Sequence, residues 1–232
     1  MQDRTIRLRG LVLSVVRYGA AHQLATVYTL EKGMLKCTRR GALSLRGKNG
    51  GPALTPLAEV ELVIQKNSSE LHLCKEAVCL HRFHQDFTEY HTLELACSLA
   101  NVLQCSQPLE SPSPPLYHLF LRLLQTIRQF RQPELALAAL QLKLLYHEGL
   151  INPINTCQIC QSSSSPLKVL RGEPFCVEHA PPFAIPLSTE ELEAVNWLMQ
   201  TRQLSVLQQA ELPMALMDKV ERLFRQQFPV HF

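Results

Sequence analysis

The sequence is poor in aromatic residues and has no long uninterrupted apolar stretch. Phe, Trp and Tyr make up 6% of its 232 residues, with a single Trp. No apolar run approaches the roughly 18 residues that span a bilayer, so no membrane-crossing helix is expected. Met1 to Arg9 is charged and lacks the apolar centre of a secretory signal, which predicts a cytoplasmic protein. Thiols stay reduced there, so the eight cysteines are not expected to form disulfides. Several catalytic signatures are also missing. No His-x-Glu of a zinc deaminase occurs, and Thr156 rather than proline precedes Cys157. His147-Glu148 is followed by Gly149, Leu150 and Ile151, without the second histidine of a zincin. Gly47-Lys48-Asn49-Gly50-Gly51 has the wrong order for a phosphate loop. No nucleophile triad or paired-carboxylate pattern emerges, and the chain is not expected to be an enzyme.

The apolar fraction of 46% and charged fraction of 19% are those of a folded globular protein. The net charge of +3 is unevenly spread. Residues 1–50 carry ten Lys or Arg against Asp3 and Glu31, a local excess of +8, which leaves −5 for the remainder. A basic first segment points to a polyanion-binding module. Basic residues that merely solvate the outer faces of strands are the plainer alternative.

Residues 4–80 read as β. Ile6, Leu8, Leu11, Leu13 and Val15 mark a first strand, with a bulge expected at Gly10 where the alternation changes. Leu24 to Leu30 is a second strand and Leu35 to Arg40 a third, joined by a Glu31-Lys32-Gly33-Met34 turn. Leu57 to Gln65 and Leu71 to Leu80 complete five strands, which predict a small closed barrel of the OB type. Gly41 to Pro56 is a long basic loop with no apolar period. After residue 80 the period becomes helical. Helices are expected over about 83–103, 116–130 and 133–148, then from the capping box at Ser188–Glu191 to Arg202, and from Pro213 to Phe228. The fold class is therefore α+β and multidomain. An OB-type nucleic-acid-binding barrel occupies 1–80, and an α-helical domain with an embedded zinc motif at 155–180 occupies 81–232.

The zinc motif is the most specific pattern. Cys157-x2-Cys160 is followed after 15 residues by Cys176-x2-His179. Each pair fits one tight turn, and the two turns can converge on a single tetrahedral Zn²⁺ with a Cys3His shell. Four protein ligands leave no open position, so the metal is expected to be structural. Cys37, Cys74, Cys79, Cys97 and Cys105 lie in apolar patterns, where a reduced cysteine acts as a small hydrophobe. In the barrel, Arg17, Arg39, Arg40, Arg46 and Lys48 stand at strand ends and in the long loop, where a nucleic-acid groove would run. Tyr18 is the candidate stacking platform. Tyr28, the other aromatic before residue 80, is assigned to the core.

In this order the pieces resemble the bacterial recombination mediator family RecO. The resemblance rests on RGLVLSVVRYGAAHQLATVYTLEKGMLKCTRRGAL, on LTPLAEVELVIQKNSSELHL, and on a helical part interrupted by the C-x2-C and C-x2-H pairs. Gln161 and His179 depart from the family's commoner glycine and fourth cysteine. The resemblance implies binding of single- and double-stranded DNA and annealing of complementary strands. It also implies a role with RecR in loading RecA onto strands coated by single-stranded-DNA-binding protein, in the nucleoid-associated cytoplasm. Two other readings stay open from the residues alone. One is a zinc-containing interaction scaffold whose basic barrel meets an acidic protein. The other is a zinc-dependent hydrolase or deaminase.

Overall fold

The computed structural model describes residues 5–19, 21–42, 54–67, 69–163 and 166–228. They form two compact units, Met1–Arg128 and Gln129–Phe232. Among the described residues no helix is long and apolar enough to cross a membrane.

The first unit opens with five strands: β1 (Thr5–Tyr18), β2 (His22–Thr29), β3 (Gly33–Arg39), β4 (Ala58–Gln65) and β5 (Leu71–Arg82). They close in the order β1-β2-β3-β5-β4, with β4 returning to β1. The β3–β5 pair is parallel and every other pair is antiparallel. This is the expected OB-type ring. Leu8, Val12, Val27, Leu35, Val60, Leu62 and Ile64 fill its interior. The bulge lies between Val12 and Ser14, not at Gly10. Gly10 answers a different need. A Cβ there would stand 2.6 Å from Val27 Cγ1, so glycine lets β1 and β2 close over a full core.

The helix expected from residue 83 starts later. The Phe83 amide donates to Leu57 O at 3.0 Å, which spends the chain after β5 on barrel closure. A single 3₁₀ turn at Phe83–Gln85 follows, and α1 runs over Tyr90–Ser106 and α2 over Pro114–Thr126. The connector between them is bound to the barrel. Glu110 N donates to Met34 O at 2.9 Å, and the Glu110 carboxylate meets His72 Nε2 at 3.0 Å and Lys66 Nζ at 3.3 Å. These two partners hold the Glu110 carboxyl below its usual range, His72 first. Tyr117 of α2 stacks on Tyr28, and its hydroxyl donates to Glu59, which also accepts from Arg9 Nε at 2.7 Å. The first two helices thus group with the barrel.

In the second unit α3 (Glu134–His147) is apolar on nearly every side and stands at the centre, touched by α4 (Thr189–Gln200), α5 (Leu204–Gln209) and α6 (Met214–Gln227). Between α3 and α4 lies a small sheet in the order β7-β6-β8, formed by β6 (Leu167–Leu170), β7 (Glu173–Phe175) and β8 (Ile185–Leu187). The capping box forms as expected: Ser188 Oγ accepts from Glu191 N, and Glu191 accepts from Ser188 N. Glu191 also holds Lys219 of α6 at 2.6 Å.

Gly33 and Gly41 have nearly the same left-handed φ, +67° and +69°, but different surroundings. A Cβ on Gly33 would lie 2.1 Å from Ser111 O, whereas one on Gly41 meets nothing within 4 Å. Gly41→Ala should cost about 1 kcal/mol of backbone strain, and Gly33→Ala at least ~2 kcal/mol because the connector must also move. Urea unfolding of the two variants checks this. Equal losses would mean that the connector is not held against the hairpin.

Candidate metal centre and nucleic-acid interface

The two ligand pairs converge. The Sγ atoms of Cys157, Cys160 and Cys176 and a ring nitrogen of His179 all lie within 4.8 Å of one another. Cys160 Sγ is 3.8 Å from Cys176 Sγ, and His179 Nδ1 is 3.9 Å from Cys157 Sγ and 3.1 Å from Cys176 Sγ. Donors held about 2.3 Å from a common tetrahedral centre would stand roughly 3.8 Å apart, so the cage fits a four-coordinate ion. Among the described residues this is the one convergent group of three or more such donors.

Local backbone bonds build the cage. Gln161 N donates to Cys157 O at 2.8 Å and Cys157 N to Ser162 O at 2.9 Å, folding the first pair into a tight turn. Gln158 N donates to Pro174 O at 2.9 Å and so ties that turn to β7, which delivers Cys176. Burial pushes the Cys157 thiol up, but the N–H groups of Cys160, Cys176 and Ile159 and the Cys160 thiol outweigh it and hold it at about 6. At Cys160 the Ser162 N–H pulls down, yet burial and the two neighbouring thiols prevail and raise it. Cys157 thus favours the thiolate while Cys160 resists it, an opposition that a divalent cation would relieve.

The second candidate surface is on the barrel. Strand register places Tyr18 beside His22, Val16 beside Leu24 and Thr38, and Ser14 beside Thr26 and Lys36. All of these share the outer face. Tyr18 and Val16 are 61% and 60% exposed, and Lys36 is exposed in the same field. The face thus offers a ring, an apolar neighbour and a cation without a covering element on those side chains. Gly41 N donates to His22 Nδ1 at 3.1 Å, which holds the end of β3 to the start of β2.

The expected cations divide. Arg17 and Arg40 are exposed. Arg39 is not a surface cation: it is 4% exposed and directed inward, in the same cross-strand row as Gln23. Strand parity explains this, because Leu35, Cys37 and Arg39 alternate onto the core side. Arg46 and Lys48 lie outside the described residues. Lys36 is not among the cations expected from the sequence, although the same alternation turns it outward.

The sequence matches the family model described as recombination protein O N terminal over residues 1–83, and the one described as recombination protein O C terminal over residues 87–227. A DNA repair protein RecO of Chlamydia pneumoniae is 29% identical over 222 residues, covering 94% of this chain and 87% of its own. That of Chlamydia muridarum is 28% identical and covers 94% of both. That of Exiguobacterium sibiricum is 26% identical over 75% of this chain and 70% of its own.

Gln161 carries a left-handed φ of +59°, and its side chain makes only long hydrogen bonds of 3.4 Å. Gln161→Gly should therefore stabilise the metal-loaded protein by up to ~1 kcal/mol. A rise in melting temperature checks this. A fall would show that the side chain outweighs the strain.

Proposed function

The chain belongs to the RecO family of DNA repair and recombination proteins, a family of non-enzymatic mediators, and we propose that its barrel binds DNA through the outer face of β1–β3. The observation that carries this reading is the joint exposure of Tyr18, Val16 and Lys36 on one sheet face, with Arg17 and Arg40 at its strand ends. Aromatic rings stack on any base, and cations follow the phosphates. Arg46 and Lys48 of the long loop would add to the same field. The N-terminal 1–80 would be the nucleic-acid module and 81–232 the part that meets other proteins. Binding extends to single and double strands. Annealing follows from shielding the repulsion between two strands, which needs no catalytic group. With RecR, the protein would help load RecA onto strands covered by single-stranded-DNA-binding protein, in the cytoplasm at the nucleoid.

Titration of fluorescent single-stranded DNA against salt tests the interface. The joint substitution Lys36→Glu and Arg40→Glu should weaken low-salt binding at least ~tenfold. It should also flatten the slope of log K against log salt by about 0.7 for each phosphate that is no longer neutralised. No binding by the unaltered protein at low salt would favour the scaffold reading instead.

Zn²⁺ is the ion whose preferences the three thiolates and one imidazole meet, and the cage gives it a structural role. Metal analysis should find one zinc per chain, lost in Cys157→Ser together with the thermal transition of the second unit. Cobalt in place of zinc should give four-coordinate spectra with strong thiolate charge transfer. An exchangeable water ligand on the cobalt would overturn the closed site.

A further inference from the structure

The barrel has a second exposed wall. On the first half of β1, on β4 and on β5, alternate residues turn outward because Leu8, Leu62, Ile64 and Ala77 fill the core. Register aligns these outward residues in two cross-strand rows, with Arg7, Val63 and Glu76 in one and Arg9, Glu61 and Val78 in the other. Along the rows runs a groove of about 320 Å³, reached also by Glu31 from the turn between β2 and β3. None of these residues belongs to the face proposed above for DNA, which uses β1 only from Ser14 to Tyr18.

The charges in this groove do not cancel. Arg9 is already matched: its Nε donates to the buried Glu59 carboxylate at 2.7 Å, and its main-chain N–H donates to Glu31 at 3.2 Å. The side chains of Arg7, Glu61 and Glu76 are exposed and form no ion pair or hydrogen bond among the described residues. With Arg9 matched by Glu59, the carboxylates of Glu31, Glu61 and Glu76 stand against the single guanidinium of Arg7. Lys75, exposed at the β5 bulge, does not line the groove. The groove is therefore acidic, whereas the face carrying Lys36 and Arg40 is basic. Its floor is apolar. Val63 is half-buried, Val78 is 57% exposed, and Leu80, the next outward residue of β5, is 43% exposed. Neighbouring aliphatic side chains on a solvent-facing wall, rimmed by charge, suit contact with another apolar group.

We propose that this groove docks a basic segment of another protein, with Lys or Arg side chains meeting Glu31, Glu61 and Glu76 and an aliphatic side chain resting on Val63 and Val78. Charge complementarity selects the occupant. A phosphate chain or an acidic peptide meets a rim of its own sign, and a run of cations alone leaves the two valines in water. A segment whose cations flank an aliphatic residue satisfies both the rim and the floor. Long Lys and Arg side chains suit the rim, because their stems can cover the exposed valine while their heads reach the carboxylates. The proposal goes beyond the DNA reading and does not rest on it. The two surfaces share β1 but none of its residues, so a partner held here leaves the basic face open.

The test is fluorescence anisotropy on the full chain at low salt, with a short labelled peptide in which arginines flank a pair of leucines. The unaltered protein should bind it. Serine in place of the leucines should weaken binding at least ~fivefold, and glutamate in place of the arginines should abolish it. The joint substitution Glu61→Gln and Glu76→Gln should weaken binding of the first peptide at least ~tenfold, and Val78→Ser at least ~threefold. All three positions are exposed, and these variants should bind single-stranded DNA no less tightly than the unaltered protein. Conversely, Lys36→Glu with Arg40→Glu should leave peptide binding undiminished, which separates a failure here from a failure of the DNA reading. The proposal is overturned if the unaltered protein does not bind the first peptide, if the serine peptide binds as well, or if the glutamine variant binds as tightly as the unaltered protein. Sedimentation of the chain alone should give one oligomeric state for the unaltered protein and the glutamine variant. A dimer that the glutamine variant dissolves would make a second copy the occupant and overturn the proposal as well.

Discussion

The first unit depends on one strand being paired on both sides. β1 runs antiparallel to β4 from Thr5 to Leu11 and antiparallel to β2 from Gly10 to Tyr18, so the pairings overlap only at Gly10 and Leu11. A 14-residue strand can serve both neighbours only if it bends, and the bulge at Leu13 and the missing Cβ at Gly10 are what let it bend. Closure then gives every strand of the ring two neighbours and leaves the end of β1, from Val16 to Tyr18, paired to β2 alone with its side chains exposed. The lower half of the outer face is occupied: Tyr28 lies under Tyr117, and Met34 is bridged by Leu109. The upper half keeps its side chains exposed. The same closure thus produces both the packing that anchors α1 and α2 and the open face on which ligands can lie.

The second unit solves a different problem. Its sheet has strands of four, three and three residues, too short to bury a core of their own. The turn carrying Cys157 and Cys160 is held to β7 by one backbone bond, Gln158 N to Pro174 O. A cation held by the four side chains would supply the cross-link that such a sheet lacks. Gly172 shows how tightly the ribbon is seated, because a Cβ there would stand 1.9 Å from Leu150 O. The four converging donors, three thiols and one imidazole, match the closed shell of the structural centre proposed above.

Much of this was legible because periodicity and turn chemistry are local. All five strands, the Gly33 turn, the capping box and the ligand pairs are written in stretches of fourteen residues or fewer. What was missed depends on distant partners or on very short elements. α5 has six residues and no side-chain cap, and β8 is three residues interrupted by Pro186. The bulge was expected at Gly10 because glycine tolerates bulges, but the glycine is there for the close approach of Val27, a residue on another strand. Helix α1 begins at Tyr90 because the amide of Phe83 is engaged by Leu57, a contact that no helical period can reveal.

Arg39 is the instructive case, since the information was present and the wrong signal was followed. Charge said surface, and alternation from Leu35 through Cys37 said core. Alternation prevails because reversing it would turn the whole strand, exposing Leu35 and Cys37 and burying Lys36. The strand's apolar partners fix its facing, and the single cation must then find what compensation the interior offers. In this barrel that compensation is a sulfur on the neighbouring strand. The cations that remain on the outer face, Lys36 and Arg40, with Arg17 exposed at the end of β1, are few, and Tyr18 is the exposed ring among them. Under the proposed function, a surface of this kind would hold a polyanion through charge more than through specific contacts, and its grip would be reversible and indifferent to sequence.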